Sequence, residues 1–311
     1  MTHPAILALG EPMVEFNQTR PGEPAYLQGF GGDTSNVIIA CARQGAPCGY
    51  LTRVGDDEFG RMLKDLWRAE NIDTQGVETD AAAHTAVYFV THGAAGAKAG
   101  HAFSYLREGS AASRMTPAFL PRDLIRKAKF LHVSGISQAI SESARATAQE
   151  AMTLARAAGV KVSYDTNLRL KLWPLEQARK VIEPSIGLAD YLLPSLEDLQ
   201  ALSGLSAPDA MVDWCFEKGA RQVVLKLGAQ GCIVATTDAR VAIAGHSIDA
   251  VDATGAGDCF DGALVARLYF GDDLVSAARY ANAAAALATL GFGAVAPLPQ
   301  RAAVERFLTH Q

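Results

Sequence analysis

From Lys129 onward, short apolar runs and amphipathic stretches alternate at roughly 30-residue intervals, the spacing of strand–helix–strand units in a parallel sheet. Phe130-Leu131-His132-Val133, Val160-Lys161-Val162-Ser163-Tyr164, Tyr191-Leu192-Leu193 and Gln222-Val223-Val224-Leu225 read as strands. Glu142 to Ala158 and Leu175 to Gly187 read as helices between them. Such sheets gather ligands at the carboxyl ends of their strands. Those ends carry Gly135-Ile136-Ser137, Asp165-Thr166-Asn167-Leu168-Arg169, Ser195-Leu196-Glu197-Asp198 and Lys226-Leu227-Gly228. Any one piece suits a turn or a charged first helical turn equally well. Together they mark a crevice.

Asp252-Ala253-Thr254-Gly255-Ala256-Gly257-Asp258 then runs directly into an apolar helix. Glycines let turn amides converge, and a helix start adds unpaired N–H groups and a positive dipole end. The result is an anion cradle suited to a phosphate, and Asp258 beside it can take a proton from an attacking hydroxyl. The competing reading is an ordinary loop in which Asp258 caps the helix. A P-loop is excluded, because Gly257 is followed by Asp258 and Cys259 rather than by Lys and Ser or Thr. A dinucleotide fingerprint lacks its third glycine here, and its spacing also fails at Gly29, Gly31 and Gly32.

The chain has 311 residues, enough for one large α/β domain with a small attachment. Its net charge of -5, with no run of basic residues, argues against nucleic acid or an anionic membrane as partner. No apolar stretch is long enough to span a bilayer, and Met1-Thr2-His3-Pro4 begins no signal peptide. Cys41, Cys48, Cys215, Cys232 and Cys259 lack CxxC spacing, which predicts buried free thiols in a reducing cytoplasm. The 7 histidines show no metal-ligand pattern.

Nearer the start, Ala5 to Leu9 predicts a buried strand, and Asp33 to Gln44 and Asp57 to Glu70 predict helices around an Arg53-Val54-Gly55-Asp56 loop. Met13 to Phe16, Ala25 to Gln28, Thr85 to Val90 and His101 to Tyr105 predict a small sheet outside the main fold, the last two joined by the link Gly93 to Gly100. Gly231 to Ala235 and Val241 to Ile243 predict an antiparallel addition, and Asp273 to Leu290 a closely packed helix.

These residues resemble the PfkB (ribokinase-like) carbohydrate kinases over nearly the whole chain. Gly31-Gly32-Asp33-Thr34-Ser35-Asn36, Gly45 and Gly55-Asp56-Asp57-Glu58-Phe59-Gly60 are similar to the first family signature, and Asp252 to Asp258 with Gly262 and Ala263 to the second. The resemblance implies a three-layer αβα sandwich with a mainly parallel central sheet and a small β-sheet lid. It implies a kinase core at 1–10, 31–83 and 108–311, and a lid at 11–30 and 84–107. It also implies transfer of the γ-phosphate of Mg-ATP to a sugar hydroxyl, with Asp258 as base and the Gly255, Ala256 and Gly257 amides as anion hole. Asn167, Arg169, Ser195, Lys226, Gly228, Gly231, Thr254, Gly255, Gly257 and Asn282 would contact ATP. Asp198 and Glu197 would hold Mg2+ through water, and a monovalent cation is compatible with the family. Ser195 stands where many members place an asparagine that helps organise the metal.

Within the family the chain is most similar to 2-keto-3-deoxygluconate kinases. The similarity lies in Gly29-Phe30-Gly31-Gly32-Asp33-Thr34, in Tyr105-Leu106-Arg107 with Ser110-Ala111-Ala112, and in Asp165 to Arg169 leading to Leu172-Trp173. Gly32, Asp33, Asn36, Tyr88, Tyr105, Arg107 and Arg169 would then line the sugar site, with guanidinium groups suited to an acid sugar. Fructokinases carry arginines in similar stretches and form the alternative. A sugar sensor without catalysis would have lost the base, and Asp258 is present. A nicotinamide oxidoreductase would need the missing fingerprint. An apolar lid face at Phe16, Tyr26, Val87, Phe89 and Phe103 predicts a homodimer, or a larger assembly of dimers, with lids in contact.

Overall fold

Side-chain alternation along β1 (Ile6–Leu9) divides the interior: Ile6 and Ala8 enter one hydrophobic core, Leu7 and Leu9 the other. The computed structural model describes residues 3–92 and 101–310. Met1, Thr2 and the Gly93 to Gly100 link lie outside the described residues.

β1 lies in a nine-stranded sheet with β4 (Cys48–Gly55), β5 (Val77–Asp80), β8 (Phe130–Ser134), β9 (Lys161–Asp165), β10 (Tyr191–Leu192), β11 (Val223–Lys226), β12 (Gly231–Ala235) and β13 (Arg240–Ala244). The order is β13-β12-β11-β10-β9-β8-β1-β4-β5. Pairing is parallel from β11 through to β5, while β12 and β13 add antiparallel, as expected. One face is covered by α1 (Asp33–Arg43), α2 (Glu58–Ala69), α9 (Ala256–Tyr269), α10 (Leu274–Ala288) and α11 (Arg301–Thr309). The other carries α3 (Arg122–Lys127), α4 (Gly135–Ala139), α5 (Glu142–Ala157), α6 (Leu175–Ile186), α7 (Leu196–Ser203) and α8 (Pro208–Glu217). Strands apolar on both sides require this three-layer arrangement.

A separate four-stranded sheet, β3-β2-β6-β7, is formed by β2 (Met13–Gln18), β3 (Tyr26–Gly31), β6 (Val87–His92) and β7 (His101–Leu106). The fold is therefore ribokinase-like: a large mainly parallel sheet between helices, with a small separate β lid.

Two expectations change. Arg53, Val54 and Gly55 are not loop but the end of β4, which is paired on both sides by β1 and β5. Gly49 and Gly55 interrupt its apolar pattern and hid it. The lid also lacks a single apolar face. Phe16 and Phe89 stack at 5.2 Å, and Phe16 meets Phe59 of α2 edge-on at 5.9 Å. Phe103 pairs opposite Val90 and lies on the other face with Tyr88 and Tyr105. All five cysteines are free and buried, as expected. Among the described residues no helix is long and apolar enough to cross a membrane.

Candidate active site

Parallel pairing brings the carboxyl ends of β1, β8, β9, β10 and β11 to one edge of the sheet, where α1 and α9 also begin. Gly32 turns the chain into α1 with φ of 100°, and a Cβ there would collide with the Glu11 carbonyl. Gly255 turns it into α9 with φ of 75°. The two helix starts meet where Asn36 Nδ2 donates to Asp258 Oδ2 at 2.7 Å. Burial, then the nearby Asp33 charge, push the Asp258 carboxyl up to about 7, while the Asn36 hydrogen bond opposes the shift.

The Ala256 amide already donates to Ala253 O at 3.1 Å. Among the described residues the Gly255, Gly257 and Asp258 amides have no such backbone acceptor, which leaves these three as the anion-binding donors. Gly255 serves as the N-cap whose left-handed backbone aims them.

On the lid side, Asn167 sits at φ of 32°, a strained value for a non-glycine residue, and its Nδ2 donates to Asp33 Oδ2 at 3.0 Å. Asp33 Oδ1 and Asn36 Oδ1 are buried without hydrogen-bond partners. Buried polar atoms are costly to leave unpaired, so these point to a ligand rich in hydroxyls. Burial raises the Asp33 pKa. Tyr88 donates to Glu15 Oε2 and stacks on Tyr105 at 5.7 Å. Arg107 lies 5.7 Å from the Tyr105 ring centre and pairs with buried Glu11 at 2.5 Å. Ser110 Oγ donates to the other Glu11 oxygen at 2.5 Å. Arg107 Nε and Nη2 and Glu11 Oε2 nonetheless lack aligned hydrogen bonds, so their contact is chiefly electrostatic. Arg169 is exposed, and its charge, like that of Arg107, acts on the Tyr105 phenol, whose pKa burial raises.

Against the start of α9, a cavity of about 250 Å³ is lined by Lys226, Gly228, Gly231, Gly257 and Asn282. Its walls are mostly apolar, including Ile248, Ala250, Phe260 and Ala285, as a planar aromatic base requires. Asn282 Nδ2 is held by Ala244 O at 2.8 Å, and Thr254 Oγ1 by Asp252 Oδ1 at 2.7 Å. Lys226 Nζ is held by Asp165 at 3.1 Å and Asp261 at 3.0 Å.

Asn167, Arg169 and Ser195 do not line this cavity. The Ser195 hydroxyl caps α7 by accepting from the Asp198 amide at 3.1 Å. Asp198 Oδ2 accepts from Thr166 Oγ1 at 2.8 Å and from the Leu168 amide at 3.0 Å, and Glu197 is exposed. Among the described residues no group of three or more His, Cys, Asp or Glu could hold a metal directly. The acidic start of α7 suits only an ion that keeps its waters, as Mg2+ commonly does beside phosphates.

Sequence reasoning missed Glu11 and Asp261. Glu11 follows a strand end, the signal used for the other site residues. Asp261 stands three residues beyond Asp258, on the same side of α9.

The model of the pfkB family carbohydrate kinases matches residues 4–301. This chain belongs to the PfkB family. The PfkB chain is 36% identical over 317 residues to fructokinase-1 of Oryza sativa subsp. japonica, covering 97% of each protein. It superposes with a TM-score of 0.90 and 26% identity on a putative ribokinase II from E. coli in complex with ATP and Mg2+, covering 99% of this chain and 100% of that one. A fructokinase double mutant from Vibrio cholerae O395, in fructose, ADP and potassium ion bound form, gives a TM-score of 0.88 at 29% identity, covering 98% of each chain. This PfkB protein is a carbohydrate kinase, and the relatives from rice and Vibrio cholerae are named fructokinases.

Proposed function

We propose that this kinase transfers the γ-phosphate of Mg-ATP to a hydroxyl of 2-keto-3-deoxygluconate. The observation that carries phosphoryl transfer is the position of Asp258. It follows Gly257, which lines the apolar cavity, and is bonded to Asn36 at the start of α1, among free helix-start amides, with burial pushing its carboxyl up to about 7. Asp258 accepts the sugar hydroxyl proton, Asn36 orients it, and the Gly257 and Asp258 amides receive charge developing on the phosphoryl oxygens. The nucleotide base occupies the cavity beside Gly228, Gly231 and Asn282. Asp198 and Glu197 would hold Mg2+ through water, and the ion would supply neutralisation of phosphate charge. A monovalent cation, as in the potassium-bound fructokinase, is compatible with the same loop region.

The acid sugar is supported by the Arg107 and Arg169 charges, which both act on Tyr105 at the lid pocket. Gly32, Asp33, Asn36 and Tyr88 complete that pocket. The lid, residues 11–30 and 84–107, closes on the core of 1–10, 31–83 and 108–311 and excludes water from the transfer. Lid pairing makes a homodimer, and buried thiols suit a cytoplasmic setting.

Fructose is the second reading. It is favoured by the named relatives and by Glu11, which already neutralises Arg107. ADP release with Mg-ATP and each sugar decides between them: a preference for the acid sugar supports the first reading, and equal or better use of fructose supports the second.

A further inference from the structure

Among the described residues Lys226 is the only lysine lining the nucleotide cavity, yet two aspartates hold its ammonium. Asp165 ends β9 and contributes one oxygen at 3.1 Å. Asp261, fully buried on α9, contributes both oxygens at 3.0 Å. A methyl group placed on Gly257 would lie 3.8 Å from Lys226 Nζ, so the ammonium sits directly beneath the turn that presents the free amides. The triad ties the ends of two sheet strands to the second turn of α9, three residues beyond Asp258. A buried ammonium bonded on both sides is a poor phosphate ligand, because reaching a phosphate would leave a buried carboxylate without its charge partner.

We propose that Lys226 is a positioning residue: clamped by Asp165 and Asp261, it fixes the start of α9 from its second turn, beneath Gly257, and thereby sets the geometry and charge of Asp258. This rests on the reading of Asp258 as the base. Asp258 is faced by Asp33 of α1, Tyr88 of β6, Asp165 of β9, Lys226 of β11 and Cys259 of α9. Lys226 is the cation in that set. Burial alone would lower its pKa, but the two aspartates more than offset this and keep it charged. Burial pushes Asp261 well up, whereas Lys226 holds Asp165 down despite its burial. Without Lys226 the Asp165 charge faces Asp258 unopposed, and proton loss from Asp258 becomes harder.

The test is the pH dependence of kcat, measured by ADP release at saturating Mg-ATP and sugar, for wild type, Lys226→Met, Lys226→Arg, Asp261→Asn and Asp258→Asn. Lys226→Met is expected to lower kcat by about tenfold or more and to move the acidic limb up by about one pH unit, with Lys226→Arg restoring much of both. Asp261→Asn, which keeps an ammonium beside Asp165 but loses the ionic anchor to α9, is expected to lower kcat with little change in KM for ATP. It decides the matter should Lys226→Met not fold. A rise in KM for ATP with kcat and the acidic limb unmoved makes Lys226 a nucleotide contact and overturns the proposal. So does wild-type kcat in Asp261→Asn. Retained turnover in Asp258→Asn instead overturns the base assignment itself, a different failure.

Discussion

Asn36 Nδ2 donates to Asp258 Oδ2 at 2.7 Å, joining the first turns of α1 and α9 across 222 residues of sequence. The bond favours the charged carboxylate and opposes the burial and the Asp33 charge that favour the acid. The balance leaves a group able to exchange a proton near neutral pH, as a general base requires.

Turnover should therefore follow the ionisation of Asp258. With its carboxyl near 7, activity should rise as pH increases through neutrality and level off above it. Asn36→Ala removes the bond that stabilises the carboxylate, so the rising limb should move to higher pH. A kcat profile with its limb unmoved by that change would separate Asn36 from the base.

Stability carries the same signature with the opposite consequence. Asp258 binds its proton more tightly folded, near 7, than in its ordinary range near 3.8. Its contribution to stability is thus lost as pH rises from about 4 through 7. Asp258→Asn should be more stable than wild type above pH 7, and the difference should vanish toward pH 4. Denaturant unfolding at both pH values measures it. The same variant should lose turnover by roughly 100-fold or more with ATP binding little changed.

Ser195 should matter for folding more than for the metal. Its hydroxyl caps α7, and removing such a cap costs about 0.5–2 kcal/mol. Ser195→Ala should lower the urea midpoint, with only a small change in the Mg2+ concentration needed for half-maximal activity. A large change in that requirement with an unmoved midpoint would return Ser195 to the metal site.

The parallel sheet, the antiparallel addition and the anion turn were legible because each is written locally, in alternation, in strand length and in glycine spacing. β4 was not, since Gly49 and Gly55 break its pattern and only its two neighbours make it a strand. Asp258, Asn36 and Asp33 were legible from motifs near opposite ends of the chain. The tethering of Lys226 by Asp165 and Asp261 was not, because three elements distant in sequence meet there. Nor was the neutralisation of Arg107 by Glu11, which only the lid's placement over β1 creates.

Lid pairing predicts a dimer at micromolar concentration. Tyr26, Leu27 and Leu106 on the edge strands β3 and β7 remain exposed, which leaves apolar surface for a second lid. Light scattering should give twice the chain mass or a multiple of it. A monomer contradicts this assembly without touching the active site.

Substrate identity is tested most directly by the ratio of kcat/KM for 2-keto-3-deoxygluconate to that for fructose, in wild type and in Arg107→Leu. Using a ratio cancels any loss of folded protein caused by leaving Glu11 buried without its partner. A desolvated charge partner is worth about 2–5 kcal/mol, and each 1.4 kcal/mol is about a factor of ten. The wild-type ratio should exceed about 100, and Arg107→Leu should lower it by at least about tenfold. A wild-type ratio at or below one, or a ratio unchanged in Arg107→Leu, would contradict recognition of an acid sugar by this pocket.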